Sequence, residues 1–448
     1  MKKMIFVLYA AIILLSLTAC GEPEQDTFIE GMDYQYPFYD RNIWTSSVQR
    51  GNDAVFIKIG YYIYKLDEKS GILTPLCNRP NCLHNHENDP DRVSDCNAYI
   101  KGDLYETGIA CMDGYLYAVA DYADNGTFGQ CLCRISEDGS KRENVYTWKD
   151  NVVEEWCVHR NAFYYVEHAY DENNHEQYAI KELKLAGGSK GKMRTIYEPP
   201  EGISVYSLSS LCAYGRHLYV EISGAKTKNP AEVNDDNWLD YQYEKMLHYD
   251  LQKDTLSEIR LPDQSDSESI TEVAFWQDHI VFCLFDYKAL YQYDAASDLY
   301  IADLDGNNAE VLLKDIPQYR WISSDGTYLY ISDCPEQLTR IYHNSSNSDE
   351  DPEQKQDAPV TVEVYDRDMK LADTMQAPFH KFPHEPAYGM GDRMYLWRLN
   401  DAGDSAVLSY LDKSDIGTCH GEEYRLTEVC TQQFSELERN DLKEYSGE

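Results

Sequence analysis

Seven copies of one pattern constrain this chain more than any other feature. Each copy reads small or polar residues, then an aliphatic, then an aromatic at a strand start. The closing aromatics are Phe56, Tyr117, Tyr164, Tyr219, Phe282, Tyr330 and Tyr395, at intervals of 61, 47, 55, 63, 48 and 65 residues. A repeat of this length, rich in short strands, implies a radial or stacked array, because one unit cannot bury its apolar face alone. The second half of each unit reads as a hairpin. It turns at Ser70-Gly71, Asp138-Gly139, Gly187-Gly188, Lys253-Asp254, Asp305-Gly306, Arg367-Asp368 and Lys413-Ser414. Several of these are Gly, Asp or Ser turns between alternating apolar and polar residues. Another short segment precedes most first-half strands, at 152–158, 203–212, 270–276 and 319–323.

Four short strands per unit, seven times over, predict an all-β chain: a seven-bladed β-propeller of four-stranded antiparallel blades spanning 41–435. The period is too long for a parallel β-helix, and the 3.6-residue periodicity of a helical solenoid is missing. No long linker divides the 448 residues, and the 38 tyrosines suit half-buried strands. Most of those rings are expected to pack between blades, with a few left for stacking on carbohydrate.

The first residues read as an address. Lys2 and Lys3 precede a 14-residue apolar run, 4–17, right for a secretory signal and short for a membrane span. It ends in Leu17-Thr18-Ala19-Cys20-Gly21, which resembles a bacterial lipobox. Residues 1–19 are therefore expected to be a lipoprotein signal peptide and Cys20 to carry diacylglycerol, an anchor at the extracytoplasmic face of the membrane. Residues 20–40, polar and acidic, read as a tether; 436–448 read as a polar tail. The formal charge of −38 argues against nucleic-acid partners; it suits cations or basic partners, and more simply a surface charged for solubility. An acidic low-complexity loop, 344–357, interrupts the sixth unit.

The sharpest chemical cluster is Cys77, Cys82, His84 and Cys96, with His86 beside it. Two chemistries fit. Three thiolates and an imidazole suit a tetrahedral ion such as zinc, in a closed structural site. Export suits disulfides instead, worth about 3 kcal/mol for a loop of roughly fifteen to twenty residues. After Cys20 twelve cysteines remain, an even number that permits full pairing without requiring it. Cys131 and Cys133 alternate on one strand and so share a face.

Together the lipobox, the strand–aromatic units and the run Thr74-Pro75-Leu76-Cys77, Pro80, Cys82, His84, Cys96-Asn97-Ala98 resemble a group of surface lipoproteins of anaerobic Gram-positive bacteria. Their bodies are similar to TolB-type and lipoprotein-receptor-type β-propellers. The resemblance implies fold and location, and supplies no activity.

With strands labelled A to D from the channel outward, the B–C and D–A connections emerge on one face. The long inserts fall at B–C: 169–177, 223–244, 286–297 and 334–359. Elaboration on one face of a rigid scaffold points to binding there. Strand A lines the channel, where Glu154, Glu155, Tyr206, Glu272, Arg320, His384 and Glu385 are ligand-binding candidates. Two function classes follow. One is a non-enzymatic, membrane-tethered module that binds a protein, peptide or glycan on the insert-bearing face. The other is a glycan lyase or hydrolase using channel carboxylates about 5–9 Å apart. The chain has neither a G-x-S-x-G elbow nor a Gly-rich phosphate loop.

Overall fold

The structure is a computed structural model. It describes residues 25–29, 32–33, 47–84, 96–101, 108–124, 127–149, 152–170, 176–186, 190–227, 229, 232–234, 237–289, 296–317, 321–332, 360–377, 386–388, 391–399, 405–421 and 425–433. Its strands form seven four-stranded antiparallel sheets, a seven-bladed β-propeller as the repeat predicts.

Blade one holds β1 (Val48–Arg50), β2 (Val55–Ile59), β3 (Tyr62–Asp67) and β4 (Ile72–Pro75). Blade two holds β5 (Ala110–Met112), β6 (Tyr115–Asp124), β7 (Thr127–Ser136) and β8 (Arg142–Trp148). Blade three holds β9 (Val152–His159), β10 (Ala162–Tyr170), β11 (Glu176–Lys184) and β12 (Met193–Tyr197). Blade four is β13 (Ser204–Tyr214), β14 (His217–Ala225), the one-turn helix α1 (Trp238–Tyr241), β15 (Gln242–Asp250) and β16 (Thr255–Ile259). Blade five follows as β17 (Glu268–Trp276), β18 (His279–Asp286), β19 (Ala296–Asp303) and β20 (Glu310–Pro317). Blade six is β21 (Trp321–Ser324), β22 (Leu329–Ser332), β23 (Val360–Tyr365) and β24 (Leu371–Ala377). Blade seven is β25 (Pro386–Tyr388), β26 (Arg393–Leu399), β27 (Ser405–Asp412) and β28 (Thr427–Gln433).

Seven apolar clusters, one per seam between neighbouring blades, make up the core. The repeated aromatics belong to them, none more than 3% exposed. Tyr117 fills the seam between blades two and three, Tyr164 the next, and Tyr219 the one after. Tyrosine suits this place because its ring packs while its hydroxyl reaches a polar neighbour. Tyr219 donates to the Leu304 carbonyl of blade five, and Tyr164 to Glu182. Unit five departs from the pattern. There Val281 faces blade six and Phe282 faces back to blade four. The Gln277-Asp278 turn leads into β18 at His279, so the aromatic is the fourth strand residue where Tyr219 is the third of β14. A one-residue offset along a strand swaps faces.

Among the described residues the ring closes without a shared sheet: the strands of blade one come from the start of the chain and those of blade seven from its end. Side chains join them. Val48, Val55 and Ile57 pack on Tyr395, Trp397 and Leu408. The Tyr395 hydroxyl donates to Glu68 at 3.0 Å, and Trp397 Nε1 to Ser47 Oγ at 2.8 Å.

Part of the 20–40 segment is docked on the ring. Asp33, 2% exposed, takes two hydrogen bonds from the Arg160 guanidinium, both 2.8 Å. Two further Arg160 donors reach the carbonyls of Gln25 and Thr27 at 2.7 and 3.0 Å. Phe28 lies against Tyr214, ring centroids 5.9 Å apart. This strap covers the A–B turns of blades three and four, on the face opposite the inserts. Gly215 permits the approach: its φ is +57°, and a Cβ there would collide with the Asp26 carbonyl. Residues 1–24, which include Cys20 and the expected signal, and the tail 436–448 lie outside the described residues. Among the described residues no helix is long and apolar enough to cross a membrane.

The long connections fall at B–C as expected, though their ends belong to strands. Three of them occupy 226–241, 287–295 and 333–359; the insert expected at 169–177 shrinks to 171–175, shorter than the C–D connection of the same blade, 185–192. The C–D connection of blade seven, 413–426, is also long.

Candidate functional site

Cys77 and Cys82 follow β4, the outermost strand of blade one, and Cys96 leads the chain back to the seam. A positive φ at Asn81 (63°) and at His84 (53°) folds the connection tightly enough to bring the four side chains together. The three Sγ atoms and a His84 ring nitrogen all lie within 4.8 Å of one another, and Cys96 Sγ is 3.6 Å from His84 Nδ1. No disulfide joins these three sulfurs. Ligand atoms of a tetrahedral zinc–thiolate site stand about 3.5–4 Å apart, so a small contraction turns this set into a coordination shell. Cys3His is a donor set that can hold a metal ion.

Burial pushes the Cys77 thiol up. The amides of Arg79 and Asn97, with the Cys82 and Cys96 thiols, outweigh it and bring Cys77 below the ordinary thiol range. Cys96 is pushed up to about 12, by burial and then by the charge on Cys77. The knot also grips blade two. The Asn78 amide donates to the Gly139 carbonyl at 3.0 Å and Asn97 Nδ2 to the same oxygen at 2.8 Å. Gly139 lies in the C–D turn of blade two, so the knot sits on the outer rim of the seam rather than on the insert-bearing face. Cys131 and Cys133 share that seam, on one side of β7 as their spacing predicts.

The channel candidates fall on a recurring backbone feature. The innermost strand is bulged in blades three, four and five, where β9 shifts register around residues 154–155, β13 at 206 and β17 at 271. A bulge re-aims side chains, which is why these residues escape the packed alternation of their strands. Glu154 and Glu155 are half-buried, and Glu154 Oε1 sits 2.7 Å from His168 Nδ1 of β10. His168 in turn stacks on Tyr178 at 4.6 Å. Tyr206 is 43% exposed. The side chain of Glu272, and Arg320, His384 and Glu385, lie outside the described residues.

The structure adds residues that sequence reading missed. Tyr206 lies near Glu244, whose carboxyl burial pushes up to about 8. Ser223 donates to Glu244 at 2.8 Å, and Glu221 adds a like charge. The register Ser223↔Glu244 places Glu221, Ser223 and Glu244 on the face of blade four that looks at blade five.

No protein-family model matches the chain, and no curated protein matches it. Solved structures do. An uncharacterized protein from Listeria monocytogenes EGD-e is 11% identical, with TM-score 0.42 over 71% of this chain and 80% of that one. A prolyl endopeptidase is 13% identical, with TM-score 0.50 over 93% of this chain and 52% of that one. TolB from Acinetobacter baumannii is 12% identical, with TM-score 0.36 over 82% of this chain and 76% of that one. At these identities the likeness concerns fold alone: the neighbours, TolB among them, are β-propeller structures. This chain spans about half the length of the endopeptidase.

Proposed function

We propose that this chain is a lipid-anchored, extracytoplasmic binding module that captures a protein, peptide or glycan on its insert-bearing face without catalysing a reaction. The observation that carries this reading is the docked strap. Gln25 is fixed to the A–B side five residues after Cys20. Five residues span at most about 18 Å. An acylated Cys20 therefore holds the A–B side against the membrane and turns the inserts outward, where a partner can reach them.

Zinc is the ion that best suits Cys77, Cys82, His84 and Cys96. Four protein ligands fill its usual coordination, so the site is structural: it would fasten blade two to blade one at the rim. Such a staple keeps the seam closed while the opposite edge of the module bears load from a partner.

Three measurements test the reading. Labelled fatty acid should be incorporated into the wild type and lost in Cys20→Ala, with the protein released from the membrane. Purified protein should carry one zinc per chain, falling to none in Cys82→Ser/Cys96→Ser. Shortening the 226–241 and 287–295 connections should abolish capture of a partner from a peptide and glycan array while leaving the unfolding temperature nearly unchanged. Turnover of an array glycan by wild-type protein would overturn the non-enzymatic part.

A further inference from the structure

The seam between blades four and five changes character toward the insert-bearing face. Deeper in, Tyr219 and Met246 pack on Phe275 and Phe282. Two residues further along each strand, the same sheet face turns polar: Glu221 and Ser223 on β14, Glu244 and Gln242 on β15. Gln242 is 8% exposed, yet its Oε1 has no hydrogen-bond partner. A buried amide oxygen left unpaired is costly unless something arrives to meet it. Because residues two apart on a strand share a side, that oxygen belongs to the same side as the Glu244 carboxyl.

Aromatic rings wall the place. Trp238 of α1 stands nearly perpendicular to Tyr287, with centroids 6.1 Å apart and planes at 80°. The Tyr287 phenol is pushed up by burial and then by the charges of Glu244 and Glu221, which places it within electrostatic reach of both. Tyr206 approaches Glu244 from β13. Among the described residues no lysine or arginine lowers the Glu244 carboxyl.

We infer that this polar end of the seam binds an alkylammonium group, Glu221, Glu244 and the Gln242 oxygen taking the N–H donors while Trp238 and Tyr287 flank the methylene stem. The inference rests on the binding-module reading and gives its outward face a ligand chemistry. The Glu244 carboxyl, which burial keeps protonated near neutral pH until a cation meets it, and the unpaired Gln242 oxygen call for a cation with hydrogens to donate, with Glu221 beside them. Rings call for one with an apolar stem and favour positive charge over their faces. A calcium ion prefers six to eight oxygens and gains little from indole. The net charge of −38 draws cations toward the surface at long range. The ammonium could belong to a lysyl side chain of a peptide or to a free diamine, and the two differ at the far end of the stem.

Calorimetric titration of the full-length chain at low salt tests this with four probes: Nα-acetyl-lysine amide, 1,5-diaminopentane, the uncharged Nα-acetyl-norleucine amide, and calcium chloride. The expected result is saturable binding of one or both amines, a change in tryptophan emission, and no binding of the norleucine probe. Tighter binding of the lysine amide assigns the site to a peptide, and tighter binding of the diamine to a free polyamine. Glu221→Gln and Glu244→Gln, checked for an unchanged near-ultraviolet spectrum, should each weaken the amine at least tenfold, and Trp238→Leu several-fold. Saturable calcium binding with no amine binding overturns the inference, as does equal binding of the norleucine probe. Capture of an array partner by a protein that ignores both amines overturns this inference and leaves the module standing.

Discussion

Burial lifts the Glu244 carboxyl to about 8 and holds the His248 imidazole near 4, four residues away on β15. His248 Nε2 is 2.6 Å from His217 Nδ1, and His217 Nε2 is 2.6 Å from Asp26 of the strap. One assignment of protons satisfies this chain: His248 donates to His217, His217 to Asp26, and Ser257 to His248 Nδ1. Both rings are then neutral, and burial lowers both. The signs follow from linkage. For Glu244 the folded value lies above the ordinary 4.5, so its contribution is intact below that pH and is lost as pH rises toward 8. For His248 the folded value lies below 6.5, so stability is full above 6.5 and falls as pH drops toward 4. Glu244→Gln should raise the unfolding temperature above pH 8 and leave it unchanged at pH 4. His248→Gln should flatten the acid limb below pH 6.5. Thermal melts across pH 4–9 check both, and each effect should amount to a few kcal/mol. Neither residue could be singled out in the sequence, because a glutamate and a histidine in an alternating strand look like solvent-facing positions until the neighbouring blade covers them.

At the scale of elements, the strands and turns were legible because apolar–aromatic steps and Gly or Asp turns are local signals. Unit five shows the limit: His279-Ile280-Val281-Phe282 matches the other copies in residue type while its register is offset by one, and only the packed seam reveals which side Phe282 takes. The strap shows a second limit. Asp26, Phe28 and Asp33 lie in an acidic, polar stretch that reads as linker, and their partners are more than a hundred residues away. Asp33→Ala should cost about 3–5 kcal/mol, because it strands the Arg160 guanidinium in a buried place. Limited proteolysis should then cut within 25–33 in the variant and spare the wild type, and denaturant unfolding gives the energy. A strap that stays protected in Asp33→Ala would show that Phe28 and the backbone contacts suffice to hold it.

For the whole molecule, seven units could be counted from sequence, and the cysteine–histidine spacing announced a convergent cluster. The way the ring closes could not be read, since a strand exchanged between the ends and a purely side-chain seam give the same repeat count. Here the seam depends on Trp397, Tyr395 and Glu68. Trp397→Ala should cost about 3–5 kcal/mol. Hydrogen exchange should accelerate first in β1, β2 and β26, ahead of the other seams. Uniform acceleration around the ring would mean that the end seam is no weaker than the rest.

The Asp33–Arg160 clasp also decides where tension enters the body. A pull arriving from the N-terminal side meets this buried ion pair over blades three and four before it reaches β1, so the split between the first and last blades is shielded from it. A protein whose ends are merely stacked together can thus hang from its own leading end without being peeled open.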